Sequence, residues 1–122
     1  MIRLLLVDDQ PAVRRGLEIR LHMEPDIQIV GEASTGREAL SMVQALSPDV
    51  VLMDIEMPEM DGIEATAALL MADSKSRVVI LSIHDDMQTR VRAQAAGAVA
   101  FVEKHGTTDN LLAAIRQAAL QA

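Results

Sequence analysis

The sequence predicts an α/β fold, an open doubly wound parallel sheet with helices on both faces, from three observations. Five short aliphatic runs punctuate the 122 residues, each followed by a stretch with helical spacing. The runs are continuous rather than alternating, as expected of parallel strands buried on both faces. The strand-plus-helix unit recurs about every 22 to 26 residues, which gives a (βα)5 pattern. An eight-fold barrel would need about twice this length.

The first run is Leu4-Leu5-Leu6-Val7. Pro11 then suits a first helical position, and Val13, Leu17 and Leu21 recur every fourth residue behind it. The second run is Ile27 to Val30, followed by a helix marked by Ala39, Met42, Val43 and Leu46 and ended before Pro48. The third run, Val50 to Met53, leads to a helix marked by Ile63, Ala67, Leu70 and Met71. The fourth, Val78 to Leu81, leads to Met87, Val91 and Ala95, with Gly97 as the stop. The fifth, Val99 to Val102, leads to Leu111, Leu112, Ile115 and Ala119, with Thr107 or Thr108 as the cap. No linker or low-complexity tract divides the chain, so residues 1–122 read as one domain.

Composition excludes several function classes. There are 11 Lys and Arg against 18 Asp and Glu, a net charge of −7 that repels phosphate backbones. Phe101 is the single aromatic residue, which leaves no stacking platform for bases or a flavin. The absence of cysteine removes disulfides, thiol catalysis and thiolate metal sites. No apolar stretch is long enough to span a membrane and no signal-peptide pattern opens the chain, so a cytoplasmic protein without a membrane partner is expected. No glycine-rich phosphate-binding motif stands after any strand.

The chemistry lies at the ends of the strands. The first ends in Asp8-Asp9, the third in Asp54, the fourth in Ser82, and Lys104 stands two residues past the fifth. In an open parallel sheet, ligands bind outside the carboxyl ends of the strands, where the strand order reverses. Three carboxylates in one crevice repel one another unless a cation joins them. Mg²⁺ favours oxygen ligands, and no cysteine or histidine stands at these strand ends to favour zinc or copper. With Lys104 and Ser82 beside it, such a site would surround a phosphoryl group on Asp54. The bland alternatives are a helix N-terminus for Asp8-Asp9, a backbone-bonded serine for Ser82 and a plain turn for Met57 to Gly62.

Val7-Asp8-Asp9, Met53-Asp54-Ile55-Glu56-Met57-Pro58, Met60-Asp61-Gly62, Ser82 and Phe101-Val102-Glu103-Lys104 together resemble the receiver domain of two-component response regulators, over nearly the whole chain. The segments Asp8-Asp9-Gln10, Gly31-Glu32-Ala33, Ser82 to Asp86 and Ala95 to Ala98 resemble the subfamily joined to LuxR-type helix-turn-helix DNA-binding domains. The resemblance implies a flavodoxin-like sheet of strand order 2-1-3-4-5. It implies that Asp54 accepts phosphate from a histidine kinase, and that Asp8, Asp9, Asp54 and the backbone carbonyl of Glu56 hold Mg²⁺. Ser82 and Lys104 would contact the phosphoryl oxygens, and Phe101 would turn inward with Ser82.

The surface of the fourth helix, fifth strand and fifth helix would then change, controlling dimerisation or a C-terminal DNA-binding output domain outside this chain, and hence transcription. Such a domain accepts phosphate and does not turn over an external substrate. Phe101 reads equally well as core, and Glu56 and His84 read either as tuners of the phosphate lifetime or as exposed polar residues. Two departures stand out. His105 comes after Lys104 where many receivers carry a proline after a cis peptide, which costs about 2.5–4 kcal/mol without proline. Ser82 stands where threonine is commoner. The alternatives are a receiver-like interaction module that works without phosphate and an aspartate-nucleophile phosphohydrolase, although Glu56 stands where the latter usually carries a second aspartate.

Overall fold

The computed structural model describes residues 1–83 and 86–121. Its strands are β1 (Ile2–Val7), β2 (Ile27–Ala33), β3 (Val50–Asp54), β4 (Arg77–Ser82) and β5 (Ala100–Glu103). Its helices are α1 (Pro11–His22), α2 (Gly36–Leu46), α3 (Gly62–Met71), α4 (Met87–Ala96) and α5 (Thr108–Ala119). All strand pairs are parallel, in the order β2-β1-β3-β4-β5, as expected.

The aliphatic runs split between the two faces because neighbouring side chains of a strand point to opposite sides. Leu4, Leu6, Val50, Leu52, Val79 and Leu81 pack under α1 and α5, through Leu17, Leu21, Leu111 and Ile115. Leu5, Val7, Val51, Met53, Val78 and Ile80 pack under α2, α3 and α4. Among the described residues, no helix is long and apolar enough to cross a membrane.

Three local readings change. β2 runs three residues past Val30, because a bulge opposite Leu4 and Leu5 lets the strand resume at Gly31. A Cβ on Gly31 would lie 2.6 Å from Met42 Cε, so α2 packs directly on the backbone there. In α3 the buried stripe is Ile63, Ala65, Thr66 and Leu69, while Leu70 and Met71 face outward. In α4 the expected stripe is reversed: Met87 and Val91 are exposed, and Ala93 and Ala96 face the sheet. Small residues let that helix approach closely, and Gly97, at φ 113°, ends it in the left-handed region that favours glycine. The last helix is capped by Thr107, whose hydroxyl accepts from the Asn110 amide.

Arg116 of α5 clasps the α1–β2 turn, with Nη2 2.7 Å from Glu24 and Nε 2.9 Å from Asp26. The guanidinium holds the Asp26 carboxyl below its usual range. Exposed pairs are worth little. Arg116→Ala is therefore expected to lower the melting temperature only slightly, and a difference that survives in about 1 M salt would refute a purely electrostatic clasp.

Candidate phosphoryl and cation site

The sheet order puts the reversal between β1 and β3, and that is where the acidic residues fall. Val7 pairs with Met53, so Asp8 and Asp54 leave adjacent strands side by side. Asp8 and Asp54 are buried, at 1 % and 3 % exposure. Asp8, Asp9 and Asp54 each offer an oxygen within 4.8 Å of the others.

Local bonds hold these residues in place. The Asp8 amide donates to the Ala33 carbonyl at 3.1 Å, and Asp8 Oδ1 accepts from the Gln10 amide at 2.9 Å. On the other side of the crevice, Gly62 opens α3 directly against the strand end, its amide donating to the Ile55 carbonyl at 2.9 Å. Asp61 caps that helix by accepting from the Glu64 amide, and the Glu64 carboxylate accepts the Asp61 amide in return. The Met57 to Gly62 segment, whose bland alternative is a plain turn, thus positions the backbone beside Asp54.

Lys104 reaches the carboxylates from the far edge of the sheet, two strands from Asp54 and three from Asp8. Its amide donates to the Ser82 carbonyl at 2.8 Å, which sets the loop after β5. From there Nζ lies 3.0 Å from Asp8 Oδ2 and 3.3 Å from Asp54 Oδ1. No peptide among the described residues is cis, so Lys104 reaches the crevice with His105 behind a trans bond.

One ammonium cannot balance three carboxylates. Burial, and next the charge of Asp8, push the Asp54 carboxyl up to about 6, against the pull of Lys104. Burial alone would lower the Lys104 ammonium, but its pairing with Asp8 and Asp54 outweighs that and raises it. Among the described residues, Asp8 Oδ2, despite its ion pair, and Asp54 Oδ2 are both buried without a hydrogen bond. An Asp54 oxygen with no hydrogen bond, an Asp8 oxygen met only by the Lys104 ammonium, and a third carboxylate beside them are a donor set that fits a hard divalent cation.

Ser82 is buried at the end of β4, paired in register with Glu103 of β5. Phe101 is half-buried on the α4 side, with the Arg90 guanidinium 4.7 Å over its ring. Glu56 is exposed, two residues past Asp54, and His84 lies outside the described residues. His22, His105 and Lys75 are exposed, as expected.

The sequence reading missed Arg14. From α1 its Nη1 donates to the Asp8 carbonyl at 2.5 Å, and its Nε to Glu32 at 3.0 Å. The signal available was indirect: nothing at the start of α1 can cap it well, and Gln10 makes no side-chain cap. A separate hollow of about 600 Å³, lined by Leu40, Val43, Ala68 and Lys75 among others, includes none of the crevice carboxylates.

A family model described as the response regulator receiver domain matches residues 4–116. The chain is 41 % identical to the transcriptional regulatory protein LiaR of Bacillus subtilis over 118 residues, covering 97 % of this chain and 56 % of that protein. It resembles the signal receiver domain of the putative response regulator NarL from Mycobacterium tuberculosis, with a TM-score of 0.94 at 33 % identity, covering 99 % of this chain and 98 % of that one. A LuxR-family two-component response regulator from Aurantimonas gives a TM-score of 0.93 at 33 % identity, covering 98 % and 85 %. The chain spans about half the length of the curated relatives it matches.

Proposed function

This chain belongs to the response regulator receiver domain family, and on that premise we propose that Asp54 is its phosphoacceptor, in a crevice that holds Mg²⁺. The observation that carries the reading is the buried Asp54 carboxylate, with Oδ2 unpartnered among the described residues and the Lys104 ammonium 3.3 Å from Oδ1. Asp8, Asp9, Asp54 and the backbone carbonyl of Glu56 would hold the ion. When bound, it neutralises charge on the transferring oxygens.

With a carboxyl that titrates near 6, Asp54 is mostly ionised at neutral pH and needs no general base. An O–P bond forms at its carboxylate as the N–P bond of a phosphohistidine breaks. The departing imidazole nitrogen takes a proton from solvent. Lys104 is placed to receive a phosphoryl oxygen, and Ser82 offers a hydroxyl donor from the end of β4. The protein's contribution is positioning and charge complementarity.

The new phosphoryl adds about −1.5 to −2 charges at neutral pH. Ser82 and Lys104 lead into α4, β5 and α5, so we read that side, with Phe101 in it, as the surface that responds. The partners implied are a histidine kinase, a second copy on phosphorylation, and a DNA-binding output domain beyond this sequence that controls transcription in the cytoplasm. Residues 1–122 act as the receiver and do not turn over a substrate of their own.

Acetyl phosphate with Mg²⁺ is expected to add one hydroxylamine-labile phosphoryl group, mapped by mass spectrometry to the peptide holding Asp54. Chelation should abolish it. Labelling at another residue, or labelling that ignores the chelator, overturns the assignment. Continued hydrolysis of acetyl phosphate without a labelled intermediate would favour the phosphohydrolase alternative.

A further inference from the structure

α1 begins without a capping side chain and without an acidic residue in its first turn. Its entry is nevertheless the turn that carries Asp8 and Asp9. Something else must fix that turn, because three carboxylates within 4.8 Å push apart. The structure supplies a closed circuit between two strand ends and one helix. The Asp8 amide donates to the carbonyl of Ala33. The Asp8 carbonyl accepts from Arg14 Nη1, and Arg14 Nε donates to the carboxylate of Glu32, the neighbour of Ala33 in β2. Arg14 is largely covered, at 17 % side-chain exposure, whereas Glu32 is at 38 %.

Resting on the proposed cation site, we propose that Arg14 and Glu32 form a strut that positions the Asp8-Asp9 turn for the metal ion. The guanidinium has a forked geometry that serves two acceptors at once. Its charge is matched by Glu32 at 3.0 Å, so it adds little net potential to the crevice and acts by geometry. Both residues are positioning residues, because neither touches the ion. β2 is one of the two edge strands of the sheet, held on one side only, and the strut ties its end to the crevice.

The test is a calorimetric Mg²⁺ titration of the wild type, Arg14→Gln, Glu32→Ala and the double variant. Amide exchange at Gln10, which donates to Asp8 Oδ1, is measured in chelator. Each single change is expected to weaken Mg²⁺ binding about tenfold, as for residues that orient metal ligands. The double variant should be no worse than the weaker single, and Gln10 should exchange faster in all three. Arg14→Lys, which keeps the charge but cannot bridge both acceptors, should recover only part of the affinity. A role through charge alone predicts opposite signs, with Arg14→Gln tightening and Glu32→Ala loosening the ion, and that result overturns the strut. Unchanged affinity in the variants also overturns it, and leaves the cation site standing. A wild type that takes up no Mg²⁺ removes the cation site and the strut together.

Discussion

Replacing Asp54 by asparagine should abolish phosphoryl labelling and, in the absence of Mg²⁺, make the domain more stable at neutral pH. The two effects have one cause. Burial and the neighbouring Asp8 raise the carboxyl to about 6, so the folded protein holds a proton that the unfolded chain has already released. Between about pH 4 and pH 6 the native state therefore binds more protons, and stability falls as pH rises through that window. Above it the full penalty of an ionised, crowded carboxylate is present.

Asparagine fills the same space without the charge, so the variant should gain on the order of 1–2 kcal/mol at neutral pH, allowing for screening at the crevice mouth. At about pH 4 the difference should largely vanish. Mg²⁺ should stabilise the wild type and do less for the variant, because it removes the repulsion that asparagine has already removed. Urea unfolding monitored by far-UV circular dichroism is the suitable measurement, since the chain has no Trp or Tyr. A wild type as stable as Asp54→Asn in chelator at neutral pH would show that the crevice is not under electrostatic strain.

The second large effect is expected at a residue with no chemistry of its own. A Cβ on Gly62 would lie 2.1 Å from the Asp54 carbonyl oxygen and 2.8 Å from its carbonyl carbon. Those are backbone atoms of a central strand, so no side chain can rotate away. Gly62 starts α3 without a positive φ, so conformational preference favours alanine there and the collision alone decides the sign.

Gly62→Ala is expected to cost about 2–3 kcal/mol, at the upper part of the range for overpacking. It should also slow phosphoryl labelling, because the displaced backbone is that of Asp54. Gly16, inside α1, is the internal control: nothing lies within 4 Å of its Cβ position. Gly16→Ala should stabilise by roughly 0.5–1 kcal/mol with labelling unchanged. Chemical denaturation of the two variants beside the wild type checks both signs, and a Gly62→Ala protein that unfolds and labels like wild type would contradict the close contact.

Helix faces are where sequence reasoning runs short. Val91 and Met87 have helical spacing and look like a core stripe, yet they face outward while Ala93 and Ala96 pack. Apolar residues on both sides of a short helix make its periodicity ambiguous, and the close approach that alanines permit depends on the neighbouring elements. The end of β2 is hard to read for a related reason: Gly31-Glu32 resembles a turn, and only pairing with β1 across the bulge keeps it in the sheet.

The alternation of strands and helices is legible in the chain itself, and with it the edge of the sheet to which Asp8, Asp9, Asp54, Ser82 and Lys104 are delivered. That inference needs only local pattern, because in a parallel sheet every strand ends on the same side. What those residues do to one another is set only by the folded arrangement. It brings Lys104 Nζ, from the loop after β5, to 3.0 Å from Asp8 beyond β1 and 3.3 Å from Asp54 at the end of β3. It leaves Asp54 Oδ2 buried without a hydrogen-bond partner among the described residues, and it brings Arg14 and Glu32 onto the Asp8 turn. Charge effects depend on distances of a few ångströms and on exclusion of water, and neither is set until residues about 50 positions apart in the chain meet.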